Sequence, residues 1–179
     1  MRKYVLILMV VACLGMMGCV QSQQPTLIPM TTAFNAEEAR GQLEPGNNTI
    51  KGSAFLRQRG GGVVTCAGEE VRLTPQTNYA DERMRNLYLS NERGFNPIRP
   101  GGQLERENAS TDPDYVDLIQ KTTANAHGEF AFKELKDGTY YITVPVHWMV
   151  GRGHHQGAVL MQRVEVSGEE TKEIVMTGP

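Results

Sequence analysis

The sequence predicts an all-β fold, an antiparallel seven-stranded β-sandwich carrying an irregular insertion with a short helix. Three observations predict it. Apolar and polar residues alternate with period two through several short runs, most clearly in "GEFAFKELKDGTYYITV". Gly (19) and Pro (9) gather between those runs, where short strands need turns. A chain of 179 residues holds one domain with a core and a tail, and is too short for two ordinary domains.

The first residues read as an address. "MRKYVLILMVVACLGMMGC" opens with Arg2 and Lys3, runs through apolar Val5 to Leu14, and reaches small Gly18 before Cys19, the order of a secretory signal. The run falls short of the ~20 residues a spanning helix needs. Gly18-Cys19 resembles the end of the bacterial lipobox. The resemblance implies a signal over 1–18 and a diacylglycerol on Cys19, which becomes the new N-terminus. Val20, where the lipoproteins it resembles carry Asp for inner-membrane retention, implies the outer membrane, periplasmic face. The other reading is an ordinary secretory signal cut after Ser22.

Residues 19–47, rich in Gln, Pro, Thr and Asn with little periodicity, read as a tether with at most a short helix near Glu37 to Arg40. Cys13 leaves with the signal and Cys19 takes the lipid, so Cys66 has no partner for an intrachain disulfide and reads as a small buried hydrophobe.

The sandwich is expected over 48–179. "TIKGSAFLR" spaces Ile50, Ala54 and Leu56 for a strand, with Gly52 its weak point, and "RQRGGG" turns the chain. "EEVRLTP" sets Val71 and Leu73 on one face and stops at Pro75. The insertion spans 76–120, with Met84, Leu87 and Tyr88 at helical spacing and "NPIRPGG" opposing regular structure. "KTTANAHGEFAF" reads as a hairpin about 125–128. The strand bearing Phe130 and Phe132 then joins that of Tyr140, Ile142 and Val144 through a tight turn at Gly138. "GAVLMQRVEV" and "TKEIVM" supply the last strands.

These pieces, above all "TTANAHGEFAFKELKDGTYYITV" with "IKGSAF", "AGEEVRLTP", "VEV" and "KEIVM", resemble the carboxypeptidase regulatory-like domain. The resemblance implies a transthyretin/prealbumin-like β-sandwich related to collagen-binding B-type repeats. Such sandwiches serve as accessory, adhesive, carbohydrate-binding and assembly modules, none of which needs catalysis. Some B-type relatives form a Lys-Asn isopeptide bond. Lys51 stands at the Lys position, but "TKEIVM" has no Asn and "TYYITVPV" no carboxylate, so that bond is excluded.

If the strands alternate in direction, the turns at 57–62, 125–128 and 151–157 share one end, where His127, His154 and His155 would converge near His147. Imidazoles so placed bind zinc or copper, and Arg57, Arg59 and Arg152 would instead make an anion site; solvated loop histidines are the plainer alternative. Trp148 suits either sugar stacking or core packing. Tyr79, Arg83 and Tyr88 mix cations with aromatics as a binding strip does. Asp81, Glu82 and Glu92 interleave with them and the net charge is −2, which excludes nucleic acid. No G-x-S-x-G, H-E-x-x-H or phosphate-binding loop points to an enzyme, and no cofactor is expected.

The sequence is therefore expected to encode a non-catalytic envelope lipoprotein whose sandwich binds or positions another envelope component, protein in the first reading and carbohydrate or peptidoglycan in the second. Replacing the acylated thiol, Cys19→Ser, is expected to leave the precursor uncut and the protein free of lipid. Metabolic labelling with palmitate checks it, and label retained by the variant would refute the assignment.

Overall fold

The computed structural model describes residues 24–151 and 154–178; the signal, Cys19 and Arg152 lie outside them. In chain order the elements are β1 (Thr26–Ile28), α1 (Ala36–Gln42), β2 (Pro45–Arg57), β3 (Val63–Thr65), β4 (Glu70–Pro75), α2 (Asn78–Tyr88), β5 (Arg93–Pro97), β6 (Arg106–Asn108), α3 (Pro113–Asp117), β7 (Gln120–Thr123), β8 (Glu129–Leu135), β9 (Gly138–Val150), β10 (His154–Val166) and β11 (Thr171–Thr177). One sheet runs β5-β10-β9-β4-β7, antiparallel throughout. In the other, β2 carries β11 on one edge and β8 followed by β3 on the other. The all-β class with a small helical insertion holds. The strand count is eleven rather than seven, and β11 pairs with β2 in parallel.

Period-two alternation builds the core. Tyr140, Ile142, Val144 and Val146 of β9, with Leu160, Val164 and Val166 of β10, face Ile50, Ala54, Phe130, Phe132, Ile174 and Met176 of the second sheet. Cys66 is buried among them, its Sγ donating to Gly128 O at 3.3 Å, and burial pushes its thiol pKa up. Gly52 is a packing requirement rather than a weak point. It lies in register between Phe130 and Ile174, and a Cβ there would stand 2.5 Å from the Phe130 ring and 2.8 Å from Ile174.

Neither expected hairpin is one. β7 pairs with β4 and β8 with β2, so the 125–128 turn and the turn before Gly138 each cross from sheet to sheet. Alternation fixes which residues turn inward. It is silent on whether the next apolar row lies beside them or opposite.

The insertion is ordered. β5 extends the main sheet, and α2 packs on that sheet's outer face, where Tyr79, Ala80, Met84, Leu87 and Tyr88 meet Tyr141 and Met161 in a second core. Thr77 Oγ1 caps α2 by accepting from Ala80 N at 3.1 Å. "NPIRPGG" takes β5 into a tight hairpin closed by the Ile98–Leu104 bridge. Buried Asn96 locks this unit from both ends of its amide, donating to Arg106 O at 2.8 Å and accepting from Arg106 N at 3.1 Å.

The supposed tether is also docked, from Thr26 onward. β1 pairs in parallel with β6, Met30 and Phe34 pack on the second core, and α1 is capped by Asn35, which accepts from Glu37 N and Glu38 N. The exposed Glu82 carboxylate clasps this segment, accepting Thr31 N at 2.7 Å, Thr31 Oγ1 at 2.8 Å and Thr32 N at 2.7 Å. Hydrogen bonds from Thr32 and Thr31 hold the Glu82 pKa down to about 2.

Truncation should cost stability in both cores. Tyr140→Ala is expected to cost about 3–5 kcal/mol and Leu87→Ala about 2–5 kcal/mol, read from denaturant melts. An unchanged midpoint for Leu87→Ala would make the second core dispensable. Because Glu82 is depressed in the folded state, its stabilisation is complete above the ordinary value of 4.5 and fades as pH falls toward about 2. Limited proteolysis should therefore find residues 24–34 protected at neutral pH and cleaved in acid, with Glu82→Ala cleaved at both.

Candidate functional site

The expected parity of the turns holds. The registers Arg57↔Val63, Glu70↔Thr123, Ala158↔Pro97 and His154↔Val150 put the β2–β3, β7–β8, β5–β6 and β9–β10 connections at one end of the sandwich. There β9 and β10 outrun their neighbours. β4 pairs with β9 only at 140–143 and β5 with β10 only at 158–162, followed by one bond from Ile98 N to Gly157 O at 3.0 Å, so residues 147–150 and 154–156 form a two-stranded arm.

The histidines divide within that arm. His154 and His155 are consecutive strand residues and so lie on opposite faces. His127 is exposed in its own turn, where Asn125 Oδ1 accepts its backbone N–H at 2.9 Å. The pair that does meet is His147 and His155, ring centroids 6.0 Å apart, with Glu69 Oε1 at 3.4 Å from His147 Nδ1. Among the described residues no group of three or more His, Cys, Asp or Glu is placed to hold a metal. The expected convergence of His127, His154 and His155 is thus replaced by one imidazole pair. Parity across a hairpin closed at Val150–His154 is the signal that identifies it. Trp148 is partly buried on the face that continues from Val146, while Met149 (62% exposed) and Val150 (44% exposed) are open.

The binding strip expected on the insertion turns inward. Tyr79 is buried with its ring 5.3 Å from that of Phe34 and 5.1 Å from that of Tyr115, and its hydroxyl accepts Asp112 N at 3.0 Å. Arg83 lies over the Tyr115 ring, 5.2 Å from its centroid, and donates to Thr111 Oγ1 at 3.0 Å. Tyr88 is buried, but it lines a cleft of about 600 Å³ with Leu89, Phe95 and Pro97, beside Arg93 and Arg106. Arg106 holds that wall in place, donating to Leu87 O at 2.9 Å and Phe95 O at 3.0 Å.

A second cleft, also about 600 Å³, straddles the seam where edge strand β7 meets edge strand β8. Its lining sets polar Lys51, Ser53, Thr123, Asn125, Glu129 and Glu173 beside apolar Phe130, Ile174 and Val175, over Gly52 and Ala131. Asn125 Nδ2 donates to Glu129 Oε2 at 2.9 Å and orients that carboxylate. Lys51 and Glu173 are register partners across β2 and β11. Apart from Lys51, weighed only for an isopeptide bond, none of these stands out by sequence pattern, because outward polar positions on a strand read as a solvated face. The seam between sheets makes them a cleft.

No helix among the described residues is long and apolar enough to cross a membrane. No family model matches the chain, and no curated protein matches it. Among solved structures it is similar to a "putative carbohydrate binding protein" from Pseudomonas aeruginosa, with a TM-score of 0.65 and 21% sequence identity over 82% of this chain and 99% of that one. At that identity the likeness establishes the shared fold.

Proposed function

We propose that this chain is a non-catalytic lipoprotein, anchored through Cys19 to the periplasmic face of the outer membrane, whose sandwich binds another envelope component, and that this component is a glycan. The observation that carries the reading is the seam cleft, where polar groups stand beside apolar surface. An ammonium, two carboxylates, hydroxyls and an amide in one trough supply the donors and acceptors that sugar hydroxyls require. The similar fold of the Pseudomonas protein supports it. So does the placement of the run from Thr122 to Val144, which carries the resemblance to carboxypeptidase regulatory-like domains: its strand β8 and turn 125–128 build one wall of the cleft.

A protein partner is the second reading, and the cleft of Tyr88, Leu89 and Phe95 favours it. Leu89 is 73% exposed and Phe95 37%, apolar surface that the fold leaves open. Paired variants separate the two. Glu129→Ala with Lys51→Ala is expected to weaken retention on peptidoglycan or envelope glycans about tenfold or more, since hydrogen bonds to charged groups contribute about 1.5–3 kcal/mol each. Leu89→Ser with Phe95→Ser should leave that retention unchanged. A stoichiometric protein captured by wild type and lost in the second variant, with no glycan retained, would reverse the assignment.

A further inference from the structure

The place where the chain enters the fold fixes which end of the sandwich meets the membrane. β1 runs parallel to β6 from the loop end, with Thr26 N donating to Glu105 O at 2.9 Å and Arg99 Nη1 donating to Gln24 O at 3.1 Å. Arg99 belongs to the same tight hairpin as Gly102, and a Cβ on Gly102 would stand 3.7 Å from the His155 ring of the arm. One hairpin thus separates Gln24 from the arm. Gln24 follows Cys19 by five positions, and five peptide units reach at most about 18 Å even when fully extended. The Glu82 clasp on Thr31 and Thr32 keeps residues nearer the body from adding length.

A lipid on Cys19 therefore brings the bilayer surface to the arm, and the arm is built for it. The end of β9 exposes Met149 and Val150 beside Trp148, a residue type that favours the boundary between headgroups and acyl chains. At the same end the β2–β3 connection exposes Arg57, Arg59 and Val63. The opposite end carries Glu37, Glu38, Glu44, Asp137, Glu169 and Glu170 against Arg40, Lys136 and Lys172, an acid excess that an anionic surface repels, while the loop end sets Arg57, Arg59 and Arg99 against Glu69, Glu105 and Glu129. We propose that Trp148, Met149 and Val150, at the end of β9 in this arm, seat in the interface of the membrane that holds the Cys19 lipid, as a second attachment that fixes the orientation of the sandwich. A single lipid tether leaves a domain free to tumble, and a second contact removes that freedom. The strands then stand upright on the membrane, and the seam cleft opens on the flank. This inference rests on the lipid anchor of the proposed function.

Trp148 is the one tryptophan in the chain, so it reports on the arm alone. The lipidated full-length protein is reconstituted into vesicles of phosphatidylethanolamine and phosphatidylglycerol, with or without brominated acyl chains. Trp148 emission is expected to be quenched by the brominated lipid, and Met149→Asp with Val150→Asp should abolish the quenching while flotation with vesicles persists. Wild-type protein that floats but shows no quenching would overturn the arm contact and leave the anchor standing. Quenching that survives in the double variant would also overturn it. Protein that fails to float and carries no acyl mass on Cys19 would overturn the anchor, and this inference with it.

Discussion

Everything in this fold depends on a pair of long strands buried on both faces. Tyr140 and Tyr141 are consecutive and both fully buried, although strand geometry sends them in opposite directions. Tyr140 enters the sandwich, where its one hydroxyl proton is shared between Lys136 O at 2.9 Å and Gln42 O at 3.1 Å. Tyr141 enters the helix-covered face, where its hydroxyl donates to Asp81. Burial, reinforced by the Asp81 carboxylate, raises the Tyr141 pKa and keeps the phenol a donor. A sheet with two apolar faces must be covered twice. The second sheet covers one face; α2, α3 and the N-terminal segment cover the other.

That requirement explains why the insertion and the supposed tether behave as parts of the domain. Once Tyr141 and Met161 point outward from β9 and β10, the apolar face of α2 has a place to pack, and Met30 and Phe34 complete the cover. Polar groups then fix the pieces rather than drive them together. Asn96 holds β6 to β5, and Glu82 holds the N-terminal segment to α2. At the far end buried Asn48 donates to Leu135 O and Asp137 Oδ1 and accepts from Glu170 N, tying two turns to β2. Each is a satisfied buried or clasping group whose loss would release a segment.

The same economy separates support from surface. The aromatic-cationic pattern at Tyr79, Arg83 and Tyr88 is spent on holding the insertion to the sheet. What stays open is the arm beyond the last sheet pairing, the trough at the β7–β8 seam and the apolar cleft of Leu89 and Phe95. The first two arise where a sheet ends, because a strand without a lateral neighbour leaves side chains or backbone uncovered.

Local chemistry by itself determined the longer strands of the sandwich, the inward residues Phe130, Phe132, Tyr140, Ile142 and Val144, the helical face of Met84, Leu87 and Tyr88, and the shared end of the turns, but not the short strands Val63–Thr65, Arg93–Pro97 and Arg106–Asn108. These follow from periodicity and parity, which a sequence carries in full. Only tertiary structure decided that the 125–128 turn and the turn before Gly138 cross between sheets, that Thr26–Ile28 forms a strand, and that Lys51, Asn125, Glu129 and Glu173 share a cleft. A row of alternating apolar residues buries the same side whether its neighbour lies beside it or opposite, so the choice rests on partners far along the chain. The separation of His154 from His155 sits between the two cases: strand parity contains it, but only the register of the arm shows that both residues lie in a strand.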